Sequence, residues 1–492
     1  MAESAYLGVD IGSKRLKIAV IDDSGNVRQV ISEDISDLLV RPRPTWAERD
    51  PLKLWARIVR AFQKLDSSGR VEAICIDGTS GTIVPVDEKL KPLFPLMLYS
   101  DLRARKEADE LRKKSPTAKN YEVFLPIAPY LVVPKIMWLK KNMLDFTKVS
   151  AILHENDFFS AILTGEIATS SNTAGKSHVD VRTREYLKEV YEEVGINIDL
   201  MPPIKPIGRE IGQLKEEIAE LIGVQAGIPV FNGVTDSSAG DISTGTLKPG
   251  QTNVTIGTTL VVHAVVDRPV PDPKKRIYYK TYVERAFLTG GATNAGTISM
   301  DAIAALVGKT VEELNMEAEE VPAGCEGIIA QPQWMGARVP ENNPNVRGFF
   351  IGITEKNFKG PYLYRAVLEG NAFVLREVLE IIEEVTDTSI KEIRACGGGS
   401  RSKLLNQIIA DVTQVRVRIV KESEPAIGSA MIAASSWKKE PISTIAENVV
   451  RETGVFDPST EKISTYERNY KIFKEITRSM IEIYDLHAIS ID

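Results

Sequence analysis

Cysteine and histidine are scarce in this sequence of 492 residues. The three cysteines, Cys75, Cys325 and Cys396, lie far apart and form no C-x-x-C pair. That spacing argues against a disulfide framework and a structural zinc site, and it is typical of a reducing compartment. The four histidines are equally scattered, so the sequence shows no cluster of metal ligands.

The sequence also lacks an excess of positive charge and a long apolar run. Its formal net charge is −6, which gives no reason to expect a nucleic-acid or anionic-membrane partner. No apolar run approaches the roughly 18 residues of a membrane span. The opening MAESAYLGVDIG has neither the charged start nor the apolar core of a signal peptide. We therefore expect a soluble cytoplasmic protein without nucleic-acid or membrane partners, in which local groups hold any phosphate.

The chain is too long for one hydrophobic core, and two of its segments resemble each other. YLGVDIGSKRLKIAVIDDSGNV and QTNVTIGTTLVVHAVVDRPV both contain a strand, a polar turn with glycine, and a second strand. The stretch GDISTGTLKPGQ between them is rich in glycine and small polar residues, as linkers are. We therefore predict two domains, 1–243 and 244–492, each opening with a hairpin.

Helical and strand patterns alternate elsewhere, which predicts an α/β fold with mixed sheets. RDPLKLWARIVRAF has an aspartate as N-cap and Pro51 at its first helical position, and EEIAELIG is a helix that Gly223 ends. IPVFNGV is predicted to be the strand that delivers Asp236. IRAC, GGGSRS and KLLNQIIADV follow one another as strand, loop and helix.

Asp236 stands among small residues in VFNGVTDSSAGD, where nothing bulky shields its carboxylate. A plain turn explains such a segment when it is taken alone, because aspartate, asparagine and glycine favour turns. The alternative is an acid that must remain accessible to a substrate. The segment by itself leaves both interpretations open.

Three polar loops could together hold a nucleotide. The first is the turn IGSKRLK after Asp10, the second contains Gly257, Thr258 and Thr259, and the third is GGGS at Gly397–Ser400. Turns of this kind present backbone N–H groups and hydroxyls to a phosphate, and a helix N-terminus favours anions. None is a Walker loop or a complete G-x-G-x-x-G motif. Each alone is equally compatible with an ordinary turn.

The ordered set DIGSKRLK, IDGTSGTIVPVD, VTDSSAGD, IGTTLVVHA, GGATNAG and GGGSRSKLLNQIIADV resembles the FGGY family of carbohydrate kinases. The similarity extends over nearly the whole chain. It implies the α/β, two-domain, actin-like (ribonuclease H-like) ATPase fold, with a central cleft between the domains where a sugar and ATP meet.

The resemblance also implies roles for individual residues. Asp236 would be the catalytic base, and Asp10 and Asp236 would place Mg²⁺. The implied ATP-binding residues are Gly12, Ser13, Lys14, Lys17, Gly257, Thr258, Thr259, Gly291, Asn294, Gly398, Gly399 and Asn406. The implied substrate-binding residues are Thr79, Ser80, Asp101, Arg103 and Asp236. The open alternatives are a helix cap and a surface ion pair for Asp101 and Arg103, and a solvated helix face for Asn406.

Two local similarities narrow the range of sugars that could accept the phosphoryl group. SDLRA resembles xylulokinase, gluconokinase and ribulokinase relatives, and IDGTSGTIVPVD resembles kinases of ketopentoses. The Gln-Arg-Glu-Thr of glycerol kinases is absent. We expect ATP-dependent phosphorylation of D-xylulose or D-ribulose at O5, in a possible homodimer. The alternatives are another polyol or aldonate (gluconate, glycerol, erythritol), an ATP-switched interaction protein resembling actin or Hsp70, and a dinucleotide-dependent oxidoreductase.

Overall fold

The computed structural model describes residues 4–66, 70–421 and 423–489. They form two compact units. The first contains the described residues up to Leu247, together with Tyr279–Phe287 and Ser423–Val450. The second contains Lys248–Tyr278 and the described residues from 288 to 421 and from 451 to 489. The chain thus returns twice to the first unit, which a single boundary in the sequence does not express; the division at 243/244 stays a prediction.

The first unit is built on two sheets. Their strands are β1 Ser4–Ile11, β2 Arg15–Asp22, β3 Val27–Asp34, β4 Leu39–Val40, β5 Glu48–Arg49, β6 Arg70–Gly78, β7 Ile83–Val86, β8 Leu96–Met97, β9 Ala151–His154, β10 Glu210–Gln213 and β11 Pro229–Phe231. One sheet has the order β10-β11-β6-β1-β2-β3, and the other has the order β4-β5-β8-β7-β9. Since parallel and antiparallel pairs occur together in the first sheet, the prediction of mixed sheets is confirmed.

Helices cover these sheets. Those before residue 248 are α1 Pro51–Phe62, α2 Arg105–Lys114, α3 Pro116–Asn120, α4 Val132–Asn142, α5 Glu155–Thr164, α6 Lys188–Glu193, α7 Glu216–Ile222 and α8 Asp236–Ser243. The predicted signals at the helix ends are confirmed. The Asp50 carboxylate accepts the backbone N–H groups of Leu52 and Lys53 at the start of α1, and Gly223 ends α7 with φ of 73°.

The remaining strands are β12 Gln251–Ile256, β13 Leu260–Val266, β14 Tyr278–Thr281, β15 Phe287–Ala292, β16 Ile329–Gln331, β17 Phe349–Ile351, β18 Glu392–Cys396, β19 Val417–Val420 and β20 Glu452–Phe456. The remaining helices are α9 Thr297–Val307, α10 Val311–Glu319, α11 Gly360–Thr386, α12 Lys403–Thr413, α13 Pro425–Lys438, α14 Ile442–Val449 and α15 Ile463–Ile489. The main sheet of the second unit includes β15-β13-β12-β18-β19-β20 in this order.

The two hairpins that resemble each other in sequence also occupy equivalent places in their sheets. In the first unit β1 pairs antiparallel with β2 and parallel with β6. In the second unit β12 pairs antiparallel with β13 and parallel with β18. Each hairpin turn therefore follows the strand that has a parallel neighbour, so the two hairpins occupy matching places, as the repeat predicted.

Helix α13 packs directly on the backbone of the first unit. A Cβ atom added at Gly8 of β1 would lie 1.9 Å from the carbonyl oxygen of Ala426, and one added at Gly428 would lie 1.9 Å from that of Ala239 in α8. Glycine is required at both positions because any side chain would overlap a backbone atom. This contact holds α8 and β1 against one helix.

Two local predictions differ from the structure. The strand before Asp236 is only three residues long, and Asp236 is instead the first residue of α8. Part of the GGGSRS loop forms a 3₁₀ helix over Gly398–Arg401. In both cases the small residues allow a tight helical turn where the sequence indicated a loop.

The three cysteines are buried thiols outside any disulfide, as their spacing indicated. Among the described residues, none of the helices is both long and apolar enough to cross a membrane.

Candidate active site

Two aspartates stand side by side at one edge of the first sheet. In the parallel pairing of β1 with β6, Asp10 is directly opposite Asp77. The side chains of Asp10 and Asp77 are 5% and 0% exposed. Since parallel neighbours end at the same edge of a sheet, the two strands deliver a pair of buried carboxyl groups to one place.

Asp236 is half-buried at the N-terminal end of α8. Its Oδ1 accepts the backbone N–H of Ser237 at 2.7 Å. Burial raises the pKa of Asp236, and the ammonium groups of Lys280 and Lys176 oppose that rise. Among the described residues it forms no ion pair within 4 Å, so its carboxylate is available to a ligand.

The three carboxyl groups are close enough to influence one another. Burial and the charge of Asp236 together raise the pKa of Asp10 to about 7, although a hydrogen bond with Asp77 and the charge of Lys17 oppose that rise. Burial and Asp10 likewise raise the pKa of Asp77 well above its usual range. Like charges in a buried place cannot all ionise readily. The edge of this sheet therefore holds protons, or a cation, more strongly than isolated aspartates would.

Asp77 was not singled out from the sequence, although it lies in the motif IDGTSGTIVPVD. Its Oδ2 accepts the hydroxyl of Ser429, from α13, at 2.5 Å. The Oδ1 atoms of Asp10 and Asp77 are buried without a hydrogen-bond partner among the described residues. A protonated Asp77 can donate to Asp10 while it accepts from Ser429, which would hold Asp10 in place.

Replacing Asp77 with asparagine is expected to weaken the pH dependence of stability. Above the ordinary carboxyl pKa of about 4, the unfolded chain releases protons that the folded wild type keeps, so its stability falls as the pH rises. Asparagine cannot ionise, yet it can still donate to Asp10 and accept from Ser429. The midpoint of thermal unfolding should therefore fall less between about pH 5 and pH 8 in Asp77→Asn than in the wild type.

The control for this experiment is Asp199→Asn, which changes an exposed aspartate. It should leave the pH dependence unchanged. Identical pH dependence of Asp77→Asn and the wild type would show that Asp77 is ionised alike in the folded and unfolded chains.

The first hairpin turn has an exposed tip. Its backbone is closed by the N–H of Gly12, which donates to the carbonyl oxygen of Arg15 at 3.0 Å. Ser13 and Lys14 are exposed, as a phosphate-binding turn requires. Lys17 lies on β2 opposite Asp10 and forms an ion pair with Glu424 just before α13, so its charge is already partly compensated.

Thr79 and Ser80 lie after β6, in different surroundings. The hydroxyl of Thr79 donates to Glu155 at 2.8 Å, and Glu155 forms a buried ion pair with Arg49. Ser80 is half-buried, and its carbonyl oxygen accepts the ammonium group of Lys176 at 3.0 Å. The structure thus places Thr79 in an internal network and Ser80 beside a lysine that influences Asp236.

Asp101 and Arg103 are bound mainly to each other. Both oxygens of Asp101 accept hydrogen bonds, from the backbone N–H groups of Ala47 and Arg103 and from the Arg103 guanidinium. That guanidinium also pairs with Glu48 and lies 3.7 Å from the ring centroid of Trp46. Both side chains are almost fully buried, so they form neither a helix cap nor a surface ion pair. Such a network indicates that the two side chains stabilise the neighbouring loop. Direct contact of Asp101 and Arg103 with the substrate stays a prediction.

The hairpin turn of the second unit leaves two hydroxyls available. Gly257 donates its N–H to the carbonyl oxygen of Thr259 at 3.1 Å. Thr258 is exposed and Thr259 is half-buried. Neither hydroxyl has a hydrogen-bond partner among the described residues. Gly296 packs so closely that a Cβ there would lie 2.7 Å from the carbonyl oxygen of Thr258, which fixes the turn.

The GGGS loop offers one open glycine. Gly398 is exposed, and a Cβ there would meet nothing within 4 Å. Gly399 is buried, and a Cβ there would lie 2.3 Å from Ile256. Asn406 is 1% exposed and donates to the carbonyl oxygen of Ser400 at 2.7 Å. Asn406 therefore does not lie on a solvated helix face. Its amide instead stabilises the GGGS loop through the hydrogen bond to Ser400.

Gly291 and Asn294 lie in packed surroundings. A Cβ at Gly291 would come within 2.4 Å of Val339. The amide of Asn294 donates to the carbonyl oxygens of Met335 and Gly336 and accepts from Arg338. The space beside Gly291 and the hydrogen-bonding groups of Asn294 are thus taken up by other groups of the protein. A direct contact of either residue with ATP stays a prediction.

Sequence reasoning also missed Lys176 and Lys280. Lys280 donates to the hydroxyl of Ser237 at 2.7 Å, and both lysines lower the pKa of Asp236 against the effect of burial. Lys176 directly follows the stretch LTGEIATSSNTAG, and only its proximity to that stretch could have indicated it. Lys280 has no comparable signal, because it reaches α8 from a segment that returns to the first unit.

Comparisons with known proteins agree with this arrangement. The sequence model of the FGGY family of carbohydrate kinases, N-terminal domain, matches residues 5–243, and that of the C-terminal domain matches residues 252–437. A xylulose kinase of Bacillus subtilis is 26% identical over 483 residues, covering 96% of each chain. A gluconokinase of the same organism is 24% identical over 500 residues, covering 98% of this chain and 97% of its own.

The fold is that of solved FGGY kinases. The crystal structure of xylulose kinase from Rhodospirillum rubrum superposes with a TM-score of 0.89 at 24% identity, covering 98% of this chain and 100% of that chain. The two-unit α/β structure therefore has the actin-like ATPase fold. Because the two domain models together match most of the chain, and in the expected order, the chain belongs to the FGGY family of carbohydrate kinases and is an ATP-dependent sugar phosphotransferase.

Proposed function

We propose that the chain transfers the γ-phosphoryl group of ATP to the O5 hydroxyl of a ketopentose, D-xylulose or D-ribulose. The main support is the placement of Asp236 on the same unit as Asp10, with an accessible carboxylate that forms no ion pair with any residue that the structure describes. Relatives along the whole chain include xylulose kinases. The chemistry belongs in the cytosol, where ATP is available and free thiols persist.

Asp236 is the general base of this proposal. Phosphoryl transfer demands little covalent work from a protein, but the acceptor hydroxyl must be aligned and must lose its proton. Burial makes Asp236 a stronger base by raising its pKa, while Lys280 and Lys176 favour its ionised form. Together the two effects give Asp236 a carboxylate that is ionised at neutral pH and is basic enough to accept a proton.

Asp10 and Asp236 fit a Mg²⁺ ion. Among the described residues, no group of three or more His, Cys, Asp or Glu side chains is arranged to hold a metal. Mg²⁺ matches a smaller donor set, because it binds one or two carboxylates and completes its shell with water and substrate phosphates. The buried Oδ1 of Asp10, which has no hydrogen-bond partner within the described part of the chain, supports this assignment. When bound, Mg²⁺ would neutralise charge on the phosphates of ATP.

The loops of the second unit hold ATP in this proposal. Thr258 and Thr259 offer hydroxyls, Gly398 leaves open space beside its backbone, and Asn406 holds that loop. Backbone N–H groups in glycine-rich turns suit phosphate oxygens. In the first unit, the exposed Ser13 and Lys14 of the first hairpin turn offer a hydroxyl and a positive charge to a phosphate.

An aldonate such as gluconate is the second candidate acceptor. A gluconokinase is among the full-length relatives, and two ammonium groups, from Lys176 and Lys280, act on the Asp236 carboxylate. The same two charges would attract a substrate carboxylate. A ketopentose remains the first candidate because of the motif similarities and because xylulose kinases are among the relatives.

An ADP-release assay over D-xylulose, D-ribulose, D-gluconate, glycerol and erythritol tests this choice. We expect the highest kcat/KM with one of the two ketopentoses, and slow ATP hydrolysis without sugar. Lys176→Met should lower activity on gluconate more than activity on a ketopentose. Highest kcat/KM on gluconate would overturn the ketopentose assignment, and ADP release that no sugar stimulates would overturn the kinase proposal for these acceptors.

A further inference from the structure

The first unit contains a groove that the proposed reaction does not use. Its volume is about 640 Å³, which is within the range of small-molecule sites. Most of its lining comes from four separate stretches of the first unit, around Arg184, Lys205, Arg285 and Ser436. None of the groove residues is among the candidate catalytic, ATP-binding or substrate-binding residues.

Arg184 is fixed in position at this groove. Its guanidinium donates to the carbonyl oxygens of Tyr282 and Ala286, at 3.3 and 3.1 Å, and lies 5.1 Å from the ring centroid of Phe287. Burial and the positive charge of Arg285 lower the pKa of the Arg184 guanidinium. Both arginines line the groove, so two like charges that repel each other share one place. A rigid guanidinium is well suited to an anion, because little entropy is lost when the ligand binds.

Arg285 and Lys205 are two further positive charges at the groove. Within the part of the chain that the structure describes, neither side chain forms a hydrogen bond or an ion pair. Arg285 is exposed and Lys205 is half-buried. An anion between Arg184 and Arg285 would relieve their repulsion and use these unpaired donors.

The backbone at the groove is strained. Arg184, Glu284 and Arg285 have φ values of 67°, 50° and 63°. Left-handed backbone at residues other than glycine is energetically unfavourable, and it concentrates at functional sites and ligand clamps. Here it sets both arginines at one groove.

The rest of the lining is polar and suits hydroxyl groups. Exposed carboxylates of Glu185, Glu284 and Glu440 are distributed around the groove, and Ser436 adds a hydroxyl. Carboxylates accept hydrogen bonds from sugar hydroxyls but repel a ligand with many negative charges, such as a nucleic acid. This combination of side chains suits a ligand that carries one anionic group and several hydroxyl groups.

We propose that this groove binds a phosphorylated sugar, with the phosphate on Arg184 and Arg285 and the hydroxyls towards the carboxylates. Phosphorylated sugars are the product class of this family of kinases, so the groove gives the protein a place to sense its own kind of product apart from the site of transfer.

Isothermal titration calorimetry with D-ribose 5-phosphate tests the proposal, because its phosphate already occupies the terminal hydroxyl. Arg285→Ala should weaken binding at the groove by about tenfold or more, since it removes charged hydrogen bonds. Arg285→Lys should restore part of the affinity. Inorganic phosphate should bind more weakly than D-ribose 5-phosphate, and neutral D-ribose should not bind at this site.

Arg209→Ala is the matched control, because Arg209 is an exposed arginine next to the same stretch but outside the groove. It should leave binding unchanged. Binding that Arg285→Ala does not weaken, or that Arg209→Ala weakens equally, would overturn the proposal. Sugar-dependent ADP release should be unchanged in Arg285→Ala. A result that overturns the groove proposal would therefore leave the kinase proposal unaffected.

Discussion

Replacing Asp236 with asparagine is expected to lower kcat for sugar-dependent ADP release by about 10²- to 10⁴-fold, the usual contribution of a general base. Asparagine keeps the shape of the side chain, and its amide oxygen can still accept the Ser237 N–H. It cannot take a proton from the acceptor hydroxyl. The measurement is a coupled assay at saturating ATP and sugar, together with the affinity for ATP.

The control is Glu216→Gln, which changes an exposed acid at the same first position of another helix, α7. It should leave kcat and the affinity for ATP unchanged. If Asp236→Asn retained wild-type kcat, Asp236 would not be the base and the proton would have to go elsewhere. If it lost ATP affinity as well as kcat, its main contribution would be to cation and nucleotide binding.

Replacing Gly428 with alanine is expected to lower the free energy of unfolding by about 3 kcal/mol or more, the upper range for overpacking. The new methyl group would lie 1.9 Å from the carbonyl oxygen of Ala239, which is backbone and cannot rotate away. Helix α13 would have to move off α8. Because Asp236 is the first residue of α8, kcat should fall as well.

Gly240→Ala is the matched control for stability, because Gly240 lies in α8 itself. A Cβ there would meet only Pro425, at 3.9 Å. This variant should be as stable as the wild type or more stable by about 0.5 kcal/mol, since alanine favours helices. Thermal and urea unfolding measure both variants. Equal stability of Gly428→Ala and the wild type would mean that α13 can shift without cost, contrary to the packing that we describe.

The helix caps and the paired hairpins could be predicted because they depend on neighbouring residues. Asp50, Pro51 and Gly223 act within one turn of their own helix, so local sequence determines them. The two hairpins were visible as repeated sequence. The family could be identified for the same reason, since its motifs are contiguous stretches in a fixed order.

The partners of the site residues could not be predicted. Asp77 meets Ser429, which is 352 residues away, and Lys17 meets Glu424 across a comparable distance in sequence. No local pattern encodes such pairs. For Asp101 and Arg103 the residues were identified, but their mutual ion pair and stacking on Trp46 depend on how three segments fold together.

The two-domain α/β class, most strands and helices around the polar loops, and the family with its sugar kinase activity could all be derived from the sequence. All of these depend on spacing within short segments or on the order of segments along the chain. Three features became visible only in the folded protein: a late helix completes the first unit, Asp77 lies beside Asp10 while two lysines act on Asp236, and two arginines share a groove. Those features depend on close packing of residues hundreds of positions apart, which burial and excluded volume determine.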